Sequence, residues 1–306
     1  MQKACVGFIG LGGMGLPMAE RLLQAGFALV TAFHKRREPA ERLAAKGARI
    51  LLSPEEVARC ADFLITIVPA DAELKDVVLG KQGLVHGMCP GKVLIEMTTA
   101  LPSTVREIAA ELAPAGVDVL DAPVSGGVNG AMNGTLTIMA GGEAAVLERC
   151  RPLLAAMGTK IVPVGGVGQG KVVKMVNQMM AAAHLVTIGE AFALGVRCGA
   201  DPATLYEVIK DSSGYSRMMD ARLPMLRAGT FTPGFKLDLM KKDVDLALDS
   251  ARAEGVPMLL GSVVGQILSA ASAAGNGGAD FAIAAQFLAD LAGVRLTAKG
   301  PAEAAQ

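Results

Sequence analysis

The sequence lacks an excess of either charge: lysine plus arginine and aspartate plus glutamate both number 29 in 306 residues, so the formal net charge is zero. It therefore has none of the global positive field with which proteins bind the nucleic-acid backbone. Charged residues are also scarce, at 19%, whereas hydrophobic residues make up 52%. A disordered chain shows the opposite balance. The composition excludes disorder, predicts no nucleic-acid partner and favours a core large enough for one or two domains.

Paired cysteines are also missing. The cysteines form no C-x-x-C pair, and no histidines lie near them at the spacing of zinc ligands. We therefore expect reduced, buried thiols, no metal site and a cytoplasmic location. The five cysteines are Cys5, Cys60, Cys89, Cys150 and Cys198.

A continuous apolar leader is absent as well. Residues 1–18 are mostly apolar, but five glycines and one proline interrupt them, unlike the core of a signal peptide. Residues 255–279 carry no charge and have the length of a membrane span, yet Pro257, several serines and a glycine-rich end dilute them. We expect a buried or interface helix there and no membrane partner.

The first half of the chain alternates apolar strand-like runs with amphipathic runs. Strands separated by helices and short turns are typical of a parallel sheet covered on both faces. The pattern predicts an α/β domain with a doubly wound parallel sheet. The predicted strands are residues 4–10, 28–33, 62–68, 92–97 and 117–121, and the predicted helices are residues 12–25, 38–46 and 103–112.

The second half has a different character. A glycine-rich hinge at residues 164–170 is followed by a long helix-compatible segment, residues 171–196, and then by helical patterns alone. We predict an N-terminal domain at residues 1–164, joined by this long helix to an all-helical domain at residues 165–306. The further helices are predicted at residues 202–210, 218–225, 237–252, 257–274 and 281–291.

A glycine-rich turn lies between the first predicted strand and the first predicted helix. Glycines at this place allow a tight turn, a close approach of the backbone to a pyrophosphate and close helix packing, while the helix N-terminus stabilises the anion. We therefore predict a Rossmann-type dinucleotide-binding domain. The cofactor-binding residues in this turn are Gly10, Leu11, Gly12, Gly13, Met14 and Gly15.

The end of the second predicted strand is basic. It contains His34, Lys35 and Arg36, and no acidic residue occurs until Glu38. An acid here would hold the ribose hydroxyls of NAD and repel the 2′-phosphate of NADP, whereas cations bind that phosphate. We predict NADP as the preferred cofactor, with NAD possible. The alternative interpretation is a solvated basic turn without effect on cofactor choice.

Four segments in order resemble the β-hydroxyacid dehydrogenase family, which includes 3-hydroxyisobutyrate dehydrogenase, tartronate semialdehyde (2-hydroxy-3-oxopropionate) reductase and the glyoxylate/succinic semialdehyde reductases. The resemblance covers about residues 4–295. The segments are Gly7-Phe-Ile-Gly-Leu-Gly-Gly-Met-Gly15, Asp121-Ala-Pro-Val-Ser-Gly-Gly127, Gly168-Gln-Gly-Lys-Val-Val-Lys-Met-Val-Asn177, and Phe235 through Lys242-Asp243.

The resemblance implies that Ser125, Gly126 and Gly127 hold the carboxylate of the substrate. A serine hydroxyl and glycine amides are suitable donors, and the segment follows a predicted strand at the edge where ligands bind in α/β sheets. A serine nucleophile is the rival interpretation. It is disfavoured because Pro123 replaces the first glycine of G-x-S-x-G and no histidine base follows in a recognisable context.

Lys174, Asn177 and Gln178 are spaced so that a helix places them on one face. The apolar neighbours of Lys174 predict its burial, an environment that suits a lysine to general acid–base work. The alternative is a side chain that reaches solvent. By the resemblance, Lys174 protonates the carbonyl oxygen as hydride arrives, Asn177 orients the substrate hydroxyl and Gln178 joins it in substrate binding. We interpret Lys171, one turn earlier, as a surface charge.

The resemblance assigns further residues to the site. Lys242 and Asp243 would close over the cofactor and the substrate, although a purely structural ion pair is an equal alternative for Asp243. Phe235 would contact the substrate. The segments after the third and fourth predicted strands would line the cofactor through Val68, Pro69, Thr98 and Thr99.

The expected function is the reversible reduction of a small semialdehyde or oxo acid to a hydroxy acid with NADPH. The segment from residue 220 to Phe235 is most similar to tartronate semialdehyde reductases, whereas residues 124–128 and 134–137 equally suit 3-hydroxyisobutyrate dehydrogenases. A non-catalytic NADP-binding sensor is an alternative of another class. The apolar composition predicts a homodimer or homotetramer.

Overall fold

The computed structural model describes residues 4–33 and 36–297. His34 and Lys35, predicted to contact the cofactor, lie outside the described residues. Backbone contacts divide the chain into two compact units, Met1–Met175 and Val176–Gln306. Each unit is described by itself below.

The first unit contains six parallel strands in the order β3-β2-β1-β4-β5-β6. This is the order of a doubly wound dinucleotide-binding sheet, with its switch point beside β1, and it confirms the predicted fold class. The strands are β1 (Cys5–Ile9), β2 (Ala28–Ala32), β3 (Arg49–Leu51), β4 (Phe63–Thr66), β5 (Val93–Glu96) and β6 (Asp118–Asp121).

Three more strands extend the edge beside β6, and here the sheet is not purely parallel as predicted. They are β7 (Val124–Ser125), β8 (Leu136–Gly141) and β9 (Gly158–Gly165). Strand β8 is antiparallel to β6 and β7, whereas β9 is parallel to β8. The connection from β7 to β8 holds only one short helix, which suffices for an antiparallel neighbour but is shorter than the usual parallel crossover.

Over residues 4–33 and 36–168, seven α-helices accompany this sheet, and hydrophobic clusters form on both of its faces. In β5, Val93 and Ile95 belong to one cluster and Leu94 to the other, because successive strand residues point to opposite faces. This explains why the strands are apolar throughout instead of alternating. The helices are α1 (Gly15–Gln24), α2 (Glu38–Ala44), α3 (Pro54–Cys60), α4 (Asp71–Leu79), α5 (Pro102–Leu112), α6 (Gly127–Asn133) and α7 (Ala144–Met157).

Helix α8 (Gln169–Arg197) is the longest element, with 29 residues. Its length and composition would allow it to cross a membrane, and 44% of its most apolar 18-residue window is buried within the protein. The core helix of a globular protein passes the same test, so this helix is weak evidence for a membrane span. The boundary between the two units falls within α8.

The described part of the second unit is helical apart from one isolated β-bridge between Lys236 and Asp280. The helix predicted at residues 257–274 is shorter, because a π-helical turn at Ser272–Asn276 and a positive φ at Gly275 end it. The helices after α8 are α9 (Pro202–Ile209), α10 (Arg217–Ala228), α11 (Leu237–Ala253), α12 (Leu259–Ala271) and α13 (Ile283–Leu291).

All five cysteines are unpaired, but the prediction that they are buried is wrong for most of them. Cys60 ends α3, Cys89 lies in a loop and Cys198 follows α8, and these three positions are exposed because they lie at helix ends or between elements. Cys150 in α7 is buried, and burial raises the pKa of its thiol to about 12.

Candidate active site

The turn between β1 and α1 has the geometry of a dinucleotide cradle. A Cβ added to Gly10 (φ 103°) would lie 2.0 Å from the Ile67 carbonyl oxygen, and one added to Gly15 would lie 1.8 Å from the Gly10 carbonyl oxygen. A Cβ on Gly12 would meet no atom within 4 Å. The outer glycines therefore close the turn, while the backbone at Gly12 stays open to a ligand. The residues fit a pyrophosphate at the start of α1, whose first turn carries no acidic residue.

The basic segment after β2 is described only in part. Arg36 is exposed. The Arg37 guanidinium lies 5.2 Å from the centre of the Phe33 ring, and its Nε is 2.9 Å from Glu41 Oε1. Arg37 is thus held against its own helix, and the predicted phosphate contacts of His34, Lys35 and Arg36 stay a prediction.

The segments after β4 and β5 are joined by hydrogen bonds. The Val68 N–H donates to Thr98 Oγ1 at 3.1 Å, and the Thr98 N–H donates to Glu96 Oε1 at 2.7 Å. Thr98 is fully buried, whereas Pro69 is exposed. Two segments predicted to line the cofactor therefore lie side by side at the carboxyl edge of the parallel strands.

The same edge contains three fully buried ionisable side chains: Glu96 at the end of β5, Asp121 at the end of β6 and Lys171 in the first turn of α8. Lys171 Nζ forms an ion pair with Glu96 Oε2, lies 2.9 Å from Asp121 Oδ1 and donates to the Glu96 carbonyl oxygen at 3.1 Å. The interpretation of Lys171 as a surface charge is wrong. Two acidic residues at the ends of buried strands need a buried cation beside them. Their positions in the sequence could therefore have predicted that Lys171 is buried.

Burial and charge oppose each other in this cluster. Burial lowers the pKa of Lys171, but the neighbouring carboxylates of Glu96 and Asp121 outweigh burial, so its pKa lies above the ordinary value. Burial raises the pKa of Glu96, and the Lys171 ammonium opposes this rise without cancelling it. The ammonium form of Lys171 is therefore the form that this cluster holds.

Lys174 lies three residues after Lys171 on α8 and is buried, with 8% of its surface exposed. The next residues predicted for the site, Asn177 and Gln178, lie in the second unit. Asn177 Nδ2 donates to Gln178 Oε1 at 3.2 Å, and Gln178 Nε2 donates to Asp243 Oδ2 at 2.7 Å. The helical spacing gives Lys174 and Gln178 the same face of α8.

Asp243 on α11 is 1% exposed and has a second partner in Lys242, whose Nζ lies 2.9 Å from Asp243 Oδ1. The second unit thus joins four of the predicted residues, Asn177, Gln178, Lys242 and Asp243, in one polar chain. The ion pair considered for Asp243 is present.

Phe235 precedes α11 and is held by a residue that the sequence analysis missed. Asp280, fully buried, accepts the N–H groups of Gly234 and Phe235 at 2.9 and 3.0 Å and that of Ala282 at 3.0 Å. Arg222 Nε lies 3.2 Å from Asp280 Oδ1, the oxygen that also accepts the Ala282 N–H. In the sequence, Asp280 is a lone acidic residue among apolar and small residues. This pattern could have indicated its role, because a buried carboxylate needs hydrogen-bond donors around it.

The Ser125–Gly127 segment leads from β7 into α6. Gly126 and Gly127 have φ values of 136° and 63°, and a Cβ added to Gly127 would meet no atom within 4 Å. A Cβ on Gly13 would lie 3.9 Å from Val128 Cγ2, so this segment adjoins the glycine turn.

Over the described ranges 4–33 and 36–297, no three His, Cys, Asp or Glu side chains are grouped as metal ligands would be.

Two family models match consecutive parts of the chain. The NAD-binding domain of 6-phosphogluconate dehydrogenase matches residues 5–166. The NAD-binding region of NADP-dependent 3-hydroxyisobutyrate dehydrogenase matches residues 168–288. Together they span nearly the whole described chain.

Individual proteins match over a similar length. The chain is 36% identical to 2-(hydroxymethyl)glutarate dehydrogenase of Eubacterium barkeri, over 97% of this chain and 99% of that protein. It is 38% identical to L-threonate dehydrogenase of Cupriavidus necator, over 90% and 93%. A solved structure of Mycobacterium tuberculosis 3-hydroxyisobutyrate dehydrogenase with L-serine has a TM-score of 0.86 and 32% identity, over 94% of this chain and 99% of that one.

Proposed function

Because this chain belongs to the β-hydroxyacid dehydrogenase family and is an NAD(P)-dependent oxidoreductase, we propose that it interconverts a small semialdehyde or oxo acid and the corresponding hydroxy acid, with NADP preferred. The observation that carries this proposal is a buried lysine, Lys174, on the helix that begins beside the carboxyl edge of the dinucleotide-binding sheet. A lysine at this place can give a proton to, or take one from, the oxygen of a substrate bound beside the nicotinamide.

In the proposed mechanism, the reduced nicotinamide supplies the hydride when it is bound. Lys174 Nζ donates a proton to the carbonyl oxygen of the substrate during reduction and takes the proton from the hydroxyl during oxidation. Asn177 donates a hydrogen bond to the same oxygen and so fixes its direction. These steps leave the carboxylate of the substrate unchanged.

Other residues bind the two partners of the reaction. We assign the substrate carboxylate to the Ser125 hydroxyl and the backbone at Gly126 and Gly127, of which Gly127 has open space where a side chain would be. In this proposal, Gln178, Phe235 and Asp243 complete the substrate site. Lys242 contacts the cofactor.

The cofactor is assigned to the first unit, apart from Lys242. Its pyrophosphate would lie on the open backbone of the glycine turn, from Gly10 to Gly15, including Leu11 and Met14. The nicotinamide would lie along Val68, Pro69 and Thr98. The 2′-phosphate of NADP would be bound by His34, Lys35 and Arg36, because consecutive cations favour a dianion there.

The preferred substrate class is 2-hydroxy-3-oxopropionate, as in tartronate semialdehyde reductases. 3-Hydroxyisobutyrate is the second candidate, which the Mycobacterium tuberculosis relative and the second family model favour. The names of the other two relatives also denote hydroxy acids. We further propose a homodimer or homotetramer, since α12 exposes the apolar side chains of Leu259, Leu260 and Val263. We also propose a cytoplasmic location, because the sequence has scattered cysteines without a pattern of disulfide pairs.

The test follows loss of reduced-nicotinamide absorbance with NADPH or NADH and a panel of tartronate, methylmalonate and succinic semialdehydes and glyoxylate. Lys174→Ala should lower kcat about 100-fold or more and change the Kd of NADPH less than about threefold. Lys160→Ala, an exposed lysine on β9, is the matched control and should behave as the wild type. Equal turnover by Lys174→Ala would refute the role of Lys174, and tight NADPH binding without turnover of any substrate would favour the sensor.

A further inference from the structure

The buried cluster of Glu96, Asp121 and Lys171 has no part in the proton transfer proposed above. We propose that Lys171 is a positioning residue, which clamps the carboxyl ends of β5 and β6 to the first turn of α8 and thereby fixes Thr98 and Lys174 relative to each other. This inference rests on the proposed function and adds a residue to its machinery that the motifs did not indicate.

The contacts of the Lys171 ammonium reach both strand ends. Its Nζ donates a hydrogen bond to the Glu96 carbonyl oxygen at 3.1 Å and forms ion pairs with the Glu96 carboxylate and with Asp121 Oδ1, the latter at 2.9 Å. The Glu96 carbonyl oxygen also accepts the N–H of Ala122 at 2.7 Å. One ammonium group therefore contacts the ends of both strands.

Glu96 connects the clamp to Thr98 and Val68, which are assigned to the nicotinamide. Glu96 uses one carboxylate oxygen for Lys171 and the other for the N–H of Thr98, at 2.7 Å. Thr98 Oγ1 in turn accepts the N–H of Val68 at 3.1 Å. A displacement of the Glu96 carboxylate would therefore be passed to both segments assigned to the nicotinamide.

Asp121 connects the clamp to helix α8, which carries Lys174, the proposed general acid–base. Asp121 Oδ2 accepts the N–H groups of Gly168 and Lys171, both at 3.0 Å, and so holds the start of α8. A Cβ added to Gly170 would lie 2.8 Å from the same oxygen, which shows how closely the helix backbone approaches the sheet. Lys174 follows one turn later on this anchored helix.

A cation is needed at this position because its two partners have the same charge. Without Lys171, two buried carboxylates would face each other, and one of them would take up a proton or move away. Movement of Glu96 releases Thr98, and movement of Asp121 releases the start of α8. The cluster therefore couples the two sides of the proposed site through one ammonium group.

The experiment compares four variants: Lys171→Met, Glu96→Gln, the double variant Lys171→Met/Glu96→Gln, and the exposed-site control Lys160→Met. Glu96→Gln keeps an oxygen for the Thr98 N–H and removes one buried charge. The double variant removes the clamp without leaving two carboxylates unpaired, so it keeps the test open if Lys171→Met does not fold. Two readouts are used: steady-state kinetics on the substrate found for the wild type, and residue-resolved amide hydrogen exchange of the free protein.

We expect kcat of the double variant to be about tenfold or more below that of Glu96→Gln, with both KM values changed less than about threefold. The amides of Thr98 and Val68 should exchange about tenfold faster than in Glu96→Gln, while Leu94 in the middle of β5 keeps its rate. Lys160→Met should match the wild type in both readouts.

Two results would overturn the inference: a kcat of the double variant equal to that of Glu96→Gln, or unchanged exchange at Thr98 and Val68. The first would mean that Lys171 only compensates charge. If the wild type turns over no substrate, the proposed function fails by itself, and the exchange rates still decide whether Lys171 holds the sheet edge.

Discussion

Replacement of Asp280 by alanine should loosen the loop that carries Phe235. The carboxylate accepts three backbone N–H groups, from Gly234, Phe235 and Ala282, and faces Arg222 at 3.2 Å. All of these groups belong to the second unit. Alanine removes every acceptor at once and leaves the mostly buried Arg222 guanidinium without this partner.

The expected loss of unfolding free energy is about 4 kcal/mol. Hydrogen bonds to a charged acceptor contribute about 1.5–3 kcal/mol each, and breaking a buried ion pair costs about 3–5 kcal/mol. The loss is smaller than the summed free energies of three such hydrogen bonds. The Gly234 and Phe235 amides are only half-buried, so water can replace the carboxylate as their acceptor. These considerations place the loss near the range of a single broken ion pair.

The assay is urea unfolding followed by far-ultraviolet circular dichroism, since the chain contains no tryptophan for fluorescence. Asp290→Ala is the matched control: Asp290 is exposed and accepts one side-chain bond from Gln286, so its loss should stay below about 0.5 kcal/mol. A loss for Asp280→Ala no larger than that of the control would refute the view that Asp280 holds this loop. In the folded variant, KM for the substrate should rise, because Phe235 is no longer fixed.

Three further outcomes are expected. Lys35→Ala combined with Arg36→Ala should raise KM for NADPH about tenfold more than KM for NADH, and equal effects in the kinetics of both cofactors would remove the phosphate contact. Lys171→Met removes the ammonium that opposes the rise in the Glu96 pKa caused by burial. The difference in Tm between Lys171→Met and the double variant Lys171→Met/Glu96→Gln, which isolates the contribution of Glu96, should therefore favour Lys171→Met most below pH 4.5 and shift against it as pH rises; a difference independent of pH would contradict this. Gly12→Ala places a methyl group in the open cradle and should weaken NADPH binding in a titration about tenfold with unchanged unfolding; unchanged binding would mean that the pyrophosphate lies elsewhere.

The dinucleotide-binding fold could be predicted because its signals are local. The glycine turn, the apolar strands and the helical periods each occupy fewer than thirty consecutive residues, about one supersecondary unit. The long helix was predicted from residue 171 and begins at Gln169. The edge strand β9 was missed because half of its residues are exposed and the run has no clear apolar pattern.

The sequence by itself determined the alternation of strands and helices in the first half, the helical character of the second, the family and the chemical types of the proposed site residues. Only the tertiary structure decided that Lys171 is buried and that Asp280 anchors the Phe235 loop. Lys171 meets Glu96 across 75 residues of chain and Asp121 across 50, and Asp280 meets Gly234 across 46. Sequence patterns report the neighbours of a residue along a strand or a helix. The environment of a charged group is instead set by whichever strands and loops the fold brings beside it, and that is a property of the packed chain.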